Sequence, residues 1–197
     1  MADIQYNFIN LPSRIEFENG HVISYLYDAD GIKLRTTHII GSDTTVTDYC
    51  GNVIYENGIP VKLLTEAGYV TLDDSKYHYF VQDHLGNNRV VVDQSGNVEE
   101  VNHYYPFGGL LSSSVSNAVQ PYKYNGKELD RKNGLDWYDY GARMYDAALG
   151  RWHAVDPMSE KYYSWSPYTY CKNNPVLRID LDGKDDYICL LYTSPSP

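Results

Sequence analysis

Histidine, cysteine and glycine are the residues whose spacing would announce metal, redox or nucleotide chemistry, and here they announce none of the three. His21, His38, His78, His84, His103 and His153 never fall at ligand spacing, whereas zinc sites are built from closely spaced His or Cys pairs. Cys50, Cys171 and Cys189 lie far apart without a CxxC pair, so neither a disulfide framework nor a zinc site is expected. Gly108-Gly109 runs on into Leu110-Leu111, without the Lys-Ser or Lys-Thr of a phosphate-binding loop. We expect no metal and no cofactor.

Charge narrows the partners further. The formal net charge is -10, and no stripe of Lys and Arg interrupts it, which argues against binding nucleic acid or an anionic membrane. No apolar run approaches the roughly 20 residues of a membrane span. Met1 to Gln5 lack the charged and apolar regions of a signal peptide, so any export address is expected elsewhere or not at all.

The elements that must position any site are short and β-forming. Tyr accounts for 21 residues, against four Phe and three Trp. A large ring with a hydroxyl that wants a partner suits sheets with one dry and one wet face. Strand-like runs occupy 21–27, 33–39, 77–81, 88–92 and 98–104, each rich in β-branched or aromatic residues. Between them stand Asp30-Gly31, Gly51-Asn52, Gly86-Asn87 and Gly96-Asn97, pairs that supply the positive φ of tight turns. Tagged glycines at Gly31, Gly51, Gly68 and Gly86 recur at nearly even spacing, the mark of a repeat architecture whose hairpins must stack on neighbours. Helical signal is thin: Lys127 to Lys132 and Arg143 to Leu149 are each expected to manage a turn or two, and no helix should exceed about three turns. We expect a mostly β chain in three zones. Residues 1–75 hold degenerate hairpin repeats, 76–183 a compact aromatic-rich domain, and 184–197 a variable or artefactual tail. Ser112 to Asn117 is expected to be a surface loop.

Several segments in one order carry a family resemblance. They are Tyr79 to Asn87, Asp93 to Val98, Tyr104 to Gly108, Tyr124 to Glu128, Gly134 to Tyr138, Gly141 to Asp146, Gly150 to Trp152, Asp156-Pro157 and Asn173 to Pro175. Over residues 77–183 the chain resembles the RHS repeat-associated core. Tyr25 to Leu34 resembles a tyrosine-aspartate (YD) repeat of the same family, and Ser166 to Pro175 is similar to a stretch of its Bacteroidetes-type members. The resemblance implies a β-ribbon wound into a hollow shell, closed by a core domain acting as a plug. The enclosed cargo would be a variable C-terminal toxin or effector region, with an immunity protein or a secretion apparatus as further partners. A secreted or cell-surface bacterial location follows. A YD-repeat adhesion module, binding glycans or proteins through exposed aromatic faces, stays open beside it.

The same resemblance implies one catalytic constellation, an aspartyl-type autoprotease. Its pattern is a Gly-Arg-aromatic element, an Asp-Pro, and a closing Asp-Pro-x-Gly-Leu after whose Leu the chain is cut. The matching residues are Arg151, Asp156 and Asp180. Two adjacent carboxylates cannot both ionise cheaply, so one can donate a proton while the other activates water. Here Leu181 replaces the closing Pro and Lys184 the closing Leu, which loosens the turn and puts a cation where an apolar side chain belongs. Poor cutting or none is expected, and the bland reading stays open: Asp156 caps a turn, and Asp180 and Asp182 are Asx-turn residues. Leu191 to Pro197 resembles translated sequencing-adapter DNA, so no function is read from it.

Overall fold

A computed structural model of the chain describes residues 3–112, 114 and 120–189. Most of the expected loop at 112–117, and the tail from residue 190, lie outside the described residues. Strands dominate, and the described helices are four single 3-10 turns. Two compact units are present: residues 1–80, 91–99 and 131–135 form the first, and 81–90, 100–130 and 136–197 the second.

Eleven strands form one sheet in strict sequence order. They are β1 (Asp3–Tyr6), β2 (Pro12–Glu16), β3 (Val22–Tyr27), β4 (Lys33–Ile40), β5 (Asp43–Cys50), β6 (Val53–Glu56), β7 (Ile59–Thr65), β8 (Gly68–Thr71), β9 (Tyr77–Gln82), β10 (Asn88–Asp93) and β11 (Val98–Val101). All five strand-like runs of the sequence contain strands, although the run 98–104 is strand only as far as Val101, and pairings such as Tyr25↔Thr36 and Thr37↔Val46 are antiparallel. Alternation explains the faces: Thr36 and His38, two apart on β4, are buried while their neighbours are not. In the first unit the core is aliphatic and phenolic, with Leu11, Ile15, Ile23, Tyr25 and Tyr69 buried.

A five-residue turn recurs along the chain, and its first residue does the work. Asp28 accepts the N–H of Asp30 at 2.9 Å and of Ile32 at 2.8 Å. Asp83 holds Leu85 and Asn87 at 3.0 and 3.2 Å, and Asp93 holds Ser95 and Asn97, both at 2.8 Å. The fourth residue is Gly31, Gly86 or Gly96, all at positive φ. In the Tyr27-Asp28 element, and in the two turns like it, the aspartate is thus the side chain that folds the turn.

Gly68 departs from the turn role expected of it. It opens β8, and a Cβ there would stand 1.9 Å from the carbonyl oxygen of His78 on the paired strand. The two short helices expected from sequence are also corrected. Glu128–Asp130 is β12 with a 3-10 turn at Lys132–Gly134, and Met144–Asp146 is β14, because cross-strand pairing outweighs weak local helix propensity.

In the second unit β12, β13 (Trp137–Asp139), β14 and β15 (Arg151–Trp152) form a meander, and β16 (Arg178–Asp180) pairs with β17 (Asp186–Ile188). Six of the eight buried residues of its core cluster are Tyr or Trp, beside Leu129 and Cys171. Each phenol in it finds an acceptor. Tyr124 donates to Pro106 O at 2.8 Å, Tyr138 to Gly108 O at 2.9 Å and Tyr145 to Phe107 O at 2.8 Å. Tyr140 and Tyr170 both donate to Asn125 Oδ1 at 2.7 Å. Burial raises the phenols of Tyr124, Tyr140, Tyr145 and Tyr170 above their ordinary range and pushes the Cys171 thiol up to about 12.

Candidate functional site

Arg143 is the arginine around which carboxylates gather. It follows the turn through Gly141, whose φ is +90°, and directly precedes β14. Its side chain is buried, and its guanidinium lies 4.2 Å from the centre of the Trp152 ring. Nε donates to Gly183 O at 2.6 Å and Nη1 to Pro167 O at 3.3 Å. Nη1 stands 3.6 Å from Asp156 Oδ2, and Nη2 the same distance from Asp180 Oδ2.

Both aspartates are also turn residues. Asp180 ends β16, and its Oδ1 accepts Gly183 N at 2.6 Å and Asp182 N at 3.1 Å. Asp156 Oδ1 accepts Met158 N at 2.7 Å ahead of the 3-10 turn at Ser159–Lys161. The Asx-turn and capping geometry is therefore present, and the charge cluster is built on top of it. Gly183 cannot be larger: its φ is +79°, and a Cβ would lie 2.9 Å from Arg143 N. That close approach also carries a backbone bond, Ala142 N to Asp182 O at 3.0 Å.

One guanidinium faces two carboxylates in a largely dry place, so the charges do not balance. Burial pushes Asp180 up to about 6, against the pull of the Gly183 and Asp182 N–H groups and of Arg143, and the Asp182 charge pushes it further. Burial also lowers Arg143 from its ordinary value, opposed by Asp156 and Asp180. The two aspartates differ in access. Asp180 is sealed, whereas Asp156 borders a shallow crevice with Tyr162, Trp165 and Lys172.

The structure brings together Asp156 and Asp180 but not Arg151. Arg151 is exposed, its guanidinium 5.5 Å from the Tyr168 ring centre. Strand alternation is the reason: Trp152 on β15 is buried, so its neighbour must point the other way. The buried arginine belongs to the Gly141 to Asp146 segment, and the Gly-Arg-Trp element carries the exposed one. Beyond the closing element, Asp185 accepts from Lys161 Nζ at 2.8 Å and Tyr162 OH at 2.5 Å, and Asp186 pairs with Lys172 at 3.1 Å.

The teneurin YD-shell family model matches residues 65–176. The chain belongs to that family. Arg143, Arg151 and Asp156 fall inside the matched YD-shell region, and Asp180 lies just beyond it. Salivary gland surface protein 1 of Aedes aegypti is 32% identical over 197 residues, covering 87% of this chain and 6% of that protein. Toxin subunit YenC1 of Yersinia entomophaga is 29% identical over 155 residues, covering 70% and 15%. Among solved structures, a TcdB2–TccC3–Cdc42 complex superposes with a TM-score of 0.78 at 20% identity, covering 92% of this chain and 10% of that one. A Photorhabdus luminescens Tc holotoxin pore gives 0.76 at 19%, covering 98% and 10%. The YD-shell fold is shared with RHS shells of Tc toxins. This chain spans only a small fraction of the length of these relatives.

Proposed function

We propose that this chain is a shell and plug segment of a secreted or cell-surface RHS-type protein that encloses a C-terminal cargo. One observation carries the reading: among the described residues eleven strands follow one another in sequence order without a crossover. Such a ribbon lengthens by adding hairpins, and length is what a shell requires. The tyrosine-rich core of the second unit supports the plug role, because its phenols are spent on the chain's own carbonyls. The test is proteolysis of the longer polypeptide, carrying upstream repeats and a reporter domain after Cys189. The reporter should resist protease in the assembled protein and be cut at the free-reporter rate once the ribbon is opened by denaturant. Equal cutting in both states would overturn the reading.

The carboxylate cluster favours a second reading, residual aspartyl-type self-cleavage. Asp180 held near 6 beside Asp156 is the asymmetry such chemistry needs, and Arg143 polarises the Gly183 carbonyl. Against it, each aspartate has one oxygen committed to turn N–H groups and the other facing Arg143, leaving little basicity for water. Mass spectrometry of a chain with a folded reporter after Asp186 should find it uncut. Prompt cleavage next to Lys184, abolished by Asp156→Asn, would make the segment an active autoprotease.

A further inference from the structure

Glu100, Asn102, Gln120 and Lys123 form a polar knot in the second unit that neither reading above uses. All four are at most 3% exposed. Glu100 and Asn102 lie two apart at the end of β11, so extended backbone sends both to one side. Glu100 Oε1 accepts at once from Lys123 Nζ, from Asn102 Nδ2 and, at 3.1 Å, from Gln120 Nε2. The amine and carboxamide nitrogens therefore sit side by side on one oxygen. The second Asn102 N–H donates to Asn88 O at 3.0 Å, which fixes the amide's orientation, since a flip would set its oxygen against two acceptors. Backbone bonds pin both partners: Asn102 N to Arg89 O at 2.8 Å, and Lys123 N to Lys127 O at 2.8 Å.

This knot is short of donors. Glu100 Oε2, Asn102 Oδ1 and Gln120 Oε1 are buried with no hydrogen-bond partner among the described residues. A full ion pair this deep carries a desolvation penalty and leaves those acceptors unmet. Moving one proton from Lys123 to Glu100 removes both charges and turns the carboxylate into a donor. It also leaves a neutral amine that shares its acceptor with the Asn102 carboxamide nitrogen.

We propose that Lys123 and Asn102 are joined by an intramolecular isopeptide bond, with Glu100 as the proton carrier. One proton passes from Lys123 Nζ to Glu100, and the Nζ lone pair then bonds to Asn102 Cγ, pushing the carbonyl electrons onto Oδ1. A second Nζ proton is carried to Nδ2, the carbonyl reforms, the Cγ–Nδ2 bond breaks and ammonia leaves. Glu100 ends as the neutral acid. Nothing is oxidised or reduced, and no co-reactant is needed. Burial excludes competing water, and fixed proximity replaces the activation that a free amide would require.

The test is intact-mass spectrometry of the whole chain, purified in a state shown to be folded by circular dichroism, followed by tryptic mapping. The expected mass is short by one ammonia, with no tryptic cut at Lys123 and a branched peptide joining Asn102 to Lys123. Lys123→Arg and Glu100→Gln chains should keep full mass. A folded wild-type chain at full mass after prolonged incubation would overturn the proposal. So would a branch at Gln120, or ammonia loss without a branched peptide, as succinimide formation at an Asn-Gly pair would give.

Discussion

Arg143 and Arg151 are eight positions apart in sequence, each inside a recognisable motif, and only burial separates their roles. Removing one partner of a buried charge cluster leaves the others uncompensated, so Arg143→Met should cost about 3–5 kcal/mol in urea unfolding. Arg151→Ala, which loses an exposed ring contact, should cost less than about 1 kcal/mol. Equal effects would contradict the assignment. Asp180 makes a pH-dependent prediction. Its folded value, about 6, lies above its ordinary 3.8, so the fold favours the protonated form. That contribution is complete only below the ordinary value of 3.8 and is lost as pH rises through 6. Asp180→Asn does not titrate, so the stability of wild type relative to this variant should fall by roughly 2 kcal/mol between pH 4 and pH 7. A flat difference across that range would show that Arg143 compensates Asp180 fully. Sequence pointed to both aspartates through their Asp-Pro and Asp-x-x-Gly contexts. It could not choose the arginine, because the choice depends on Trp152 facing inward.

Strands and turns were the most legible level, since alternation and Asx chemistry are local. The five-residue turn is set by one aspartate and one glycine, which is why Asp28, Asp83 and Asp93 fold alike despite different neighbours. Asp83→Ala should orphan the N–H groups of Leu85 and Asn87 and cost roughly 1–2 kcal/mol, while Asp83→Asn, which keeps an acceptor, should cost less. Less legible were β5 and β7, whose Asp, Lys and Pro residues dilute the β signal that pairing on both sides restores. Gly68 marks the limit of local reasoning. Its need for hydrogen in place of a side chain comes from a carbonyl on another strand, invisible in its own neighbourhood. Gly68→Ala should therefore break the β8–β9 pairing at a cost on the order of 3 kcal/mol. Amide exchange should show it as lost protection in β8 and β9, whereas Gly58→Ala, with open space around its Cβ, should leave those strands protected.

At the scale of the whole molecule the governing fact is β1, which among the described residues pairs with β2 alone. Asp3, Gln5 and Tyr6 are exposed there, and the following turn carries Phe8 at 87% exposure. A free strand edge is a template for another strand, and this one has a single carboxylate and an apolar neighbour to guard it. The chain taken alone should therefore associate edge to edge as its concentration rises. Light scattering during size-exclusion chromatography reads this directly, as a mass that grows with loading. Tyr6→Lys places a charge on the exposed edge and should return the chain to monomer. Extending the ribbon upstream by one YD hairpin should do so only if it moves a better-guarded strand to the edge. A sharp monomer at every concentration would mean that β1 is already protected, and the ribbon would then lack the open side from which a longer shell is built.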